Sequence, residues 1–342
     1  METRYSPSGK KRKRPMRWQQ KAALLLSGAL VVAFCAFGLP YMIVGDVVQA
    51  SPPTGTPAPP PATLPAAPAS ASPAPSADTP EETASPTPEP TPFVPILTED
   101  AENGVWTYED ASVRIDIERQ QPLDGVVATA AVITPKQGAL PLRTAFAEGT
   151  FGQNVRARTR VIADSVDAVF AINGDYCGFR DDGVIVRGGV SYRNNPARDA
   201  LCLFQDGTMQ ILDEDEMDVE SLLAQGLWES WSFGPALVVD GALPERYDTD
   251  VSGKNPRTAL GQRADGSYVA VAVDGRLPGY SEGMSIEELA QYMLNLGCVT
   301  AYNLDGGMTS CMYFNGNVIS TPCGTANQER SVSDIIFVAP AE

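Results

Sequence analysis

The stretch YVAVAVDGRLPGYSEGMSIEELAQYMLNLG, residues 268–297, changes periodicity halfway along. Its opening YVAVAVD (268–274) is short, rich in β-branched residues and ends on Asp-Gly, the pattern of a strand running into a turn. From Met284 onward the apolar residues Ile286, Leu289, Met293 and Leu296 recur at helical spacing. Ser285 and Glu288 have the spacing of a capping box, and Gly297 supplies the stop. Working outward, VVATAAVI (126–133), AVFAIN (168–173), ALCLF (200–204), ALVVD (236–240) and DIIFV (334–338) read as further strands. Asp206-Gly207 and Asn315-Gly316 are hairpin signals, the second joining CMYF to VIS, and 154–165 reads as a second helix. Strands interspersed with helices predict an α+β fold, a mixed β-sheet domain with helices packed against it.

Composition limits that domain to 100–342. Residues 1–21 hold eight Lys/Arg against one acid, Glu2, and 22–44 (AALLLSGALVVAFCAFGLPYMIV) carry no charge. That length suits a transmembrane helix, and the basic cluster before it is expected to stay cytoplasmic. The expectation is a single-pass cell-membrane protein whose C-terminal domain is extracytoplasmic. The alternative is secretion after cleavage near Ala50, where Val48-Gln49-Ala50 resembles a signal-peptidase site. Residues 45–99 are dominated by Pro, Ala, Ser and Thr, which bury too little to offset ordering entropy, so a disordered linker is expected.

The formal charge is −17, and removing the first 21 residues leaves 17 basic against 41 acidic residues. So acidic a domain lacks the clustered cations that nucleic-acid phosphates require. The chain contains no histidine, which excludes Ser-His-Asp and Cys-His catalysis and leaves carboxylates, arginines, hydroxyls and thiols. Five cysteines lie beyond residue 44 (Cys177, Cys202, Cys298, Cys311 and Cys323), an odd number with no C-x-x-C pair, so at least one is expected outside any intramolecular disulfide.

Three segments end an apolar strand in polar residues and a glycine turn: AINGDYCGF (171–179), VAVDGRLPGYSEG (271–283) and AYNLDGGMTS (301–310). Any one alone is an ordinary turn former; three in one domain, each exposing an acid, suggest a site built at strand ends. NPRTALGQ (255–262) adds Arg257 beside Thr258 at the start of a β-like run. Arg187, Arg193, Arg276 and Arg330 are further guanidinium groups suited to phosphate.

The order of these pieces resembles the phosphodiester glycosidase family: NPRTALGQ, VAVDGR, the helix beginning MSIEELAQYM, AYNLDGGMTS and the closing ERSVSDIIFV. Upstream, AINGDYCGF, GVIVRGGVSYRN and FGPALVVDG are similar to its bacterial, exopolysaccharide-associated branch, so the resemblance covers about 168–338. It implies a hydrolase that cuts a sugar from a glycosyl phosphodiester, acting on an extracellular, cell-wall or capsular glycan. It also implies a cleft lined by residues matching Asn173, Arg257, Thr258, Asp274, Arg276, Asn303, Asp305, Gly306 and Gly307. Asp175, where many relatives have a glycine or an apolar residue, and Met308, which interrupts a run of small residues, depart from the pattern.

A phosphomonoester leaving group needs charge neutralisation, a role assigned to Arg257 and Arg276. An oxocarbenium-like transition state needs a carboxylate, assigned to Asp305 as nucleophile or electrostatic stabiliser, with Asp274 or Asp175 as base. Asn173, Gly174, Thr258, Asn303, Gly306, Gly307, Ser310 and Arg330 are the expected substrate-binding residues. No cofactor is expected, although Asp175, Asp274 and Asp305 would together suit a divalent cation. The competing functions are a non-catalytic carbohydrate- or wall-binding domain and an exopolysaccharide assembly protein.

Overall fold

A computed structural model describes residues 93–341 apart from 137, 325 and 327. The expected cytoplasmic segment, transmembrane helix and most of the linker lie outside the described residues. Among the described residues no helix is long and apolar enough to cross a membrane.

The domain is mostly β, with three sheets where one mixed sheet was expected. Following the hydrogen-bonded order, the largest sheet contains Ile96–Asp100, Val105–Glu109, Val113–Leu123, Val126–Pro135, Tyr268–Val273, Arg257–Arg263, Cys298–Asn303 and Ala236–Val238. A second runs Met209–Asp213, Asp199–Phe204, Leu227–Trp231, Gly183–Arg187, Val190–Asn195. The third runs Asn317–Val318, Met312–Phe314, Phe170–Asn173, Asp334–Val338, Arg143–Phe146. Among the described residues the strand pairings are antiparallel, including the central Val126–Pro135, Tyr268–Val273 and Arg257–Arg263 ladder. The strand Ile96–Asp100 begins the fold a few residues before the boundary expected at 100.

The YVAVAV run is uniformly apolar because both its faces are covered. Val269, Val271 and Val273 face a cluster with Ile286, Leu289, Ala290 and Met293 of the helix Ile286–Asn295. The alternate residues Tyr268, Ala270 and Ala272 face the main core, which also takes Ile115, Leu201, Phe170, Trp231, Tyr302 and Phe314 from the three sheets. The helix is shorter than the apolar pattern, starting after Ser285, whose hydroxyl accepts from Glu288 N while the Glu288 carboxylate accepts from Ser285 N. Such a box contributes about 1 kcal/mol, and burial of Leu289 contributes more, since truncation to alanine in a packed core costs about 2–5 kcal/mol.

The helix expected over 154–165 is confined to Thr159–Ser165. The preceding residues are held open: Asn154 has φ 60°, its N–H donates to Gly178 O, and Ala157 exchanges backbone hydrogen bonds with Val332. Both hairpin signals form turns, with Asp206-Gly207 between Asp199–Phe204 and Met209–Asp213, and Asn315 and Gly316 at φ 44° and 85°. All five cysteines of the domain are unpaired, and four are buried.

Candidate active site

The ends of strands from the different sheets converge on a cleft of about 1080 Å³. Phe170–Asn173 leads into the Gly174–Arg180 turn, and Leu227–Trp231 into Phe233 and Gly234. Arg257 opens one strand of the large sheet, and Cys298–Asn303 leads into Asp305, Gly306 and Gly307. Asp305, Arg257, Arg276, Arg330, Asn303, Gly306 and Gly307 all line the cleft.

Arg257 is 5% exposed. Its Nε donates to Met284 O at 3.1 Å, and its Nη2 donates to Val251 O at 2.8 Å and Gly253 O at 2.6 Å. These carbonyls orient the fork without neutralising it, and among the described residues no carboxylate lies within ion-pair distance of it. Burial, and after it the neighbouring Arg276 charge, pull the Arg257 pKa down to about 10. Arg276, at φ 59°, donates from Nε and Nη2 to Asn255 Oδ1 at 3.1 and 2.7 Å, again a neutral partner. Gly307 makes room for this fork: a Cβ there, at φ 68°, would sit 3.3 Å from both Arg276 Nη atoms. Two adjacent guanidinium groups with only neutral partners make a site for an anion.

Asp305 is 7% exposed, and its Oδ1 accepts from Gly306 N at 2.9 Å. Arg330 Nη2 stands 3.6 Å from its Oδ2. Burial pushes the carboxyl pKa up to about 6, with Thr309, Arg330 and the Gly306 N–H opposing it. Asn303 Nδ2 donates to Gly234 O at 2.7 Å, while its buried Oδ1 has no hydrogen-bond partner and is available to a donor in the cleft.

Several expected site residues stand behind this surface. Asn173, fully buried, accepts at Oδ1 from Thr258 Oγ1 at 2.7 Å and Cys311 N at 3.2 Å. Its Nδ2 donates to Asp305 O at 2.7 Å. Asn173 and Thr258 thus brace the Asp305 turn and do not line the cleft. Gly174 is needed for packing, because a Cβ would fall 2.2 Å from Asp334 Oδ1. Ser310 is buried with an unpartnered hydroxyl and also lies off the cleft lining.

The two acids expected as the base are also off the cleft lining. Asp274 accepts from Thr321 N at 2.8 Å and Tyr280 Oη at 3.0 Å, tying down the segment after Asn317–Val318. Asp175 is fully buried; it accepts from Ser232 N at 2.8 Å and from Arg187 Nη2 at 3.0 Å, and Arg187 Nη2 also donates to Asp334 at 2.8 Å. The departure from the family pattern at Asp175 therefore has a structural partner, Arg187. The expected cation set of Asp175, Asp274 and Asp305 does not assemble. Among the described residues the acids and thiols close enough to share an ion are Asp175, Cys177 and Asp334. Arg187 already bridges those two carboxylates, and burial followed by their charges keeps the Cys177 thiol protonated.

Tyr176, Arg180, Phe233 and Asn255 line the cleft and were not singled out in the sequence. Tyr176, at φ 72°, stacks on Phe179 at 4.5 Å and meets Phe233 edge-on at 6.5 Å. Arg180 lies 4.8 Å from the Phe233 ring and Arg330 5.6 Å from Tyr176. Tyr176 and Phe233 stand inside quoted motifs, but an aromatic in a turn carries no sign of which way it faces.

Residues 166–339, about half of the chain, match a family model described as phosphodiester glycosidase. The chain is 32% identical over 201 residues to the SPbeta prophage-derived uncharacterized protein YomE of Bacillus subtilis, covering 55% of this chain and 30% of that protein. It is 27% identical over 154 residues to the N-acetylglucosamine-1-phosphodiester alpha-N-acetylglucosaminidase of Bos taurus, covering 39% and 29%. It therefore spans under a third of the length of these curated relatives. Among solved structures, the zebrafish N-acetylglucosamine-1-phosphodiester alpha-N-acetylglucosaminidase catalytic domain, auto-inhibited by pro-peptide, is similar with a TM-score of 0.55 and 21% identity. That match covers 66% of this chain and 82% of the zebrafish one. A hypothetical protein from Synechocystis gives a TM-score of 0.51 at 15% identity, covering 73% and 68%. At these identities both structures speak for the fold.

Proposed function

The chain belongs to the phosphodiester glycosidase family, and from that premise we propose that it hydrolyses a glycosyl phosphodiester, cutting between the anomeric carbon and the ester oxygen. The observation that carries this reading is the pairing, in one cleft, of unneutralised Arg257 and Arg276 with the buried carboxyl of Asp305. The two guanidinium groups hold the phosphate and take up the charge that builds on it as the bond breaks. The electron pair of the C–O bond leaves with the phosphomonoester, which needs no protonation at neutral pH. Ionised Asp305 stabilises the electron-poor anomeric carbon or bonds to it and is then displaced by water; the water oxygen becomes the hydroxyl of the released sugar and its second proton passes to the departing phosphate or to solvent. Asn303 Oδ1 accepts from a sugar hydroxyl, and the Tyr176 and Phe233 rings pack against the apolar face of the ring.

The finer reading places this chemistry outside the cell on a cell-wall or capsular glycan. It is supported by the basic 1–21 segment followed by the uncharged 22–44 run and the Pro-rich tract, which together suit a membrane-anchored, stalked domain. Incubating the full chain with a panel of sugar 1-phosphodiesters tests the activity. Release of reducing sugar together with phosphomonoester is expected, and absence of turnover across the panel with measurable binding would leave a lectin-like domain instead. Cleavage of the C-terminal domain by protease added to intact cells tests the location; protection until lysis would refute it.

A further inference from the structure

A second cavity, of about 590 Å³, lies apart from the residues of the proposed cleft. Four of its lining residues are aromatic, Phe146, Tyr192, Trp228 and Phe337, and two, Arg143 and Arg187, are cationic. Phe146 and Tyr192 meet edge to face at 5.0 Å. Trp228 lies over the Gly188–Gly189 turn, where a Cβ on Gly189, at φ 74°, would stand 3.2 Å from the indole.

Glu229 also lines this cavity, although it is only 2% exposed. One carboxylate oxygen accepts from Gly188 N at 3.3 Å, and Oε2 has no partner. The Thr144 hydroxyl sits beside the carboxyl and favours its ionised form without completing a hydrogen bond. Burial pushes the Glu229 pKa up to about 7, which a bound cation would reverse. Arg187, the cation nearest this carboxyl in the core, is committed to Asp175 and Asp334. Three buried carboxyls therefore share one guanidinium, an excess of two negative charges when all three are ionised. Arg143 at the cavity is exposed, so solvent screens its charge.

We propose that this cavity is a binding site for a small organic ammonium ion, with its cationic head against Glu229 and its alkyl groups among the Phe146, Tyr192 and Trp228 rings. The Arg187 guanidinium already lies 5.9 Å from the Phe146 ring, so the pull on a second cation would come from Glu229 together with the Tyr192 and Trp228 rings. The buried Nε of Arg187, a cavity residue with no acceptor, would be satisfied by a hydroxyl on the same ligand, which makes choline a suitable probe. The site does not depend on the activity proposed above.

Calorimetric titration of the full chain with choline, and with its neutral carbon isostere 3,3-dimethylbutan-1-ol, tests the assignment. Choline is expected to bind in about the millimolar range or tighter, with the alcohol at least about tenfold weaker. Glu229→Gln and Trp228→Ala should each weaken choline about tenfold in protein that remains folded, while leaving the binding of ligands in the large cleft unchanged. Failure to bind choline at about 50 mM would overturn the proposal, as would equal affinity for the alcohol or an unaltered Glu229→Gln titration.

Discussion

The side-chain amide of Asn173 donates to the main-chain carbonyl of Asp305 at 2.7 Å, joining two turns 132 residues apart. Through Oδ1 the same side chain holds Thr258 and Cys311, so one buried amide sets the position of the carboxyl proposed to act on substrate. Asn173→Ala leaves the Asp305 carbonyl, the Thr258 hydroxyl and the Cys311 N–H without this partner. A loss of about 3 kcal/mol in urea unfolding is expected, from the cost of stranding buried polar groups. In protein that remains folded the turnover number should fall at least about tenfold, because the Asp305 turn is displaced.

Asp305 gives opposite effects on activity and stability. Its folded pKa is about 6, above the ordinary 3.8, so the folded state binds the proton more tightly than the unfolded state. The resulting cost to stability is absent below the ordinary value and complete above about 6. Asp305→Asn should therefore raise stability above pH 6 by about 1–3 kcal/mol and leave it unchanged near pH 3, measured by denaturant titration at both pH values. The same variant should lose about a thousandfold or more in turnover. In the wild type the ionised carboxyl is the active form, so the rate should fall about tenfold per pH unit as pH drops below about 6.

Arg257 is oriented by three carbonyls through Nε and Nη2, which leaves Nη1 for an anion, whereas the three donors of a lysine cannot hold those carbonyls and an anion together. Arg257→Lys should weaken both phosphate inhibition and turnover by about tenfold to a hundredfold. Arg276→Lys, at an exposed position held by one amide oxygen, should lose less. Equal inhibition constants for inorganic phosphate in the wild type and both variants would remove the arginines from anion binding.

Asp274 was expected to share the acid–base work; it lies off the cleft lining, with its carboxylate held by Thr321 N and Tyr280 Oη. Asp274→Asn keeps an acceptor for Thr321 N but loses the charge that strengthens that hydrogen bond. It should leave turnover within about threefold of wild type while raising hydrogen exchange at Thr321 about tenfold.

The legible parts of this molecule are those where neighbouring residues carry the whole signal. Ser285 and Glu288 announce their helix, Asn315-Gly316 its hairpin, and YVAVAV a strand covered on both faces. The strand Val113–Leu123 (VRIDIERQQPL) was missed although Val113, Ile115 and Ile117 alternate with charged residues at strand period; its far end is polar and carries Pro122, which ordinarily argues against a strand. The number of sheets was also beyond local reading, since it depends on which strands pair across long separations, as with Phe170–Asn173 and Asp334–Val338. At the site, the motifs singled out Asp305, Arg257, Arg276 and Asn303, which line one cleft. They could not separate these from Asp175 and Asp274, because an acid after a strand looks the same whether it faces a cavity or a buried arginine. The guanidinium of Arg187, 12 residues from Asp175 in sequence, makes that difference in space.

The most direct measurement is hydrolysis of a sugar 1-phosphodiester by the full chain in water enriched in oxygen-18. Attack at the anomeric carbon, directed by Asp305 with the phosphate held on Arg257 and Arg276, places the label in the hydroxyl of the released sugar and leaves the phosphomonoester unlabelled. Label in the phosphate, with sugar 1-phosphate as product, would mean that the phosphorus is attacked and would contradict the account.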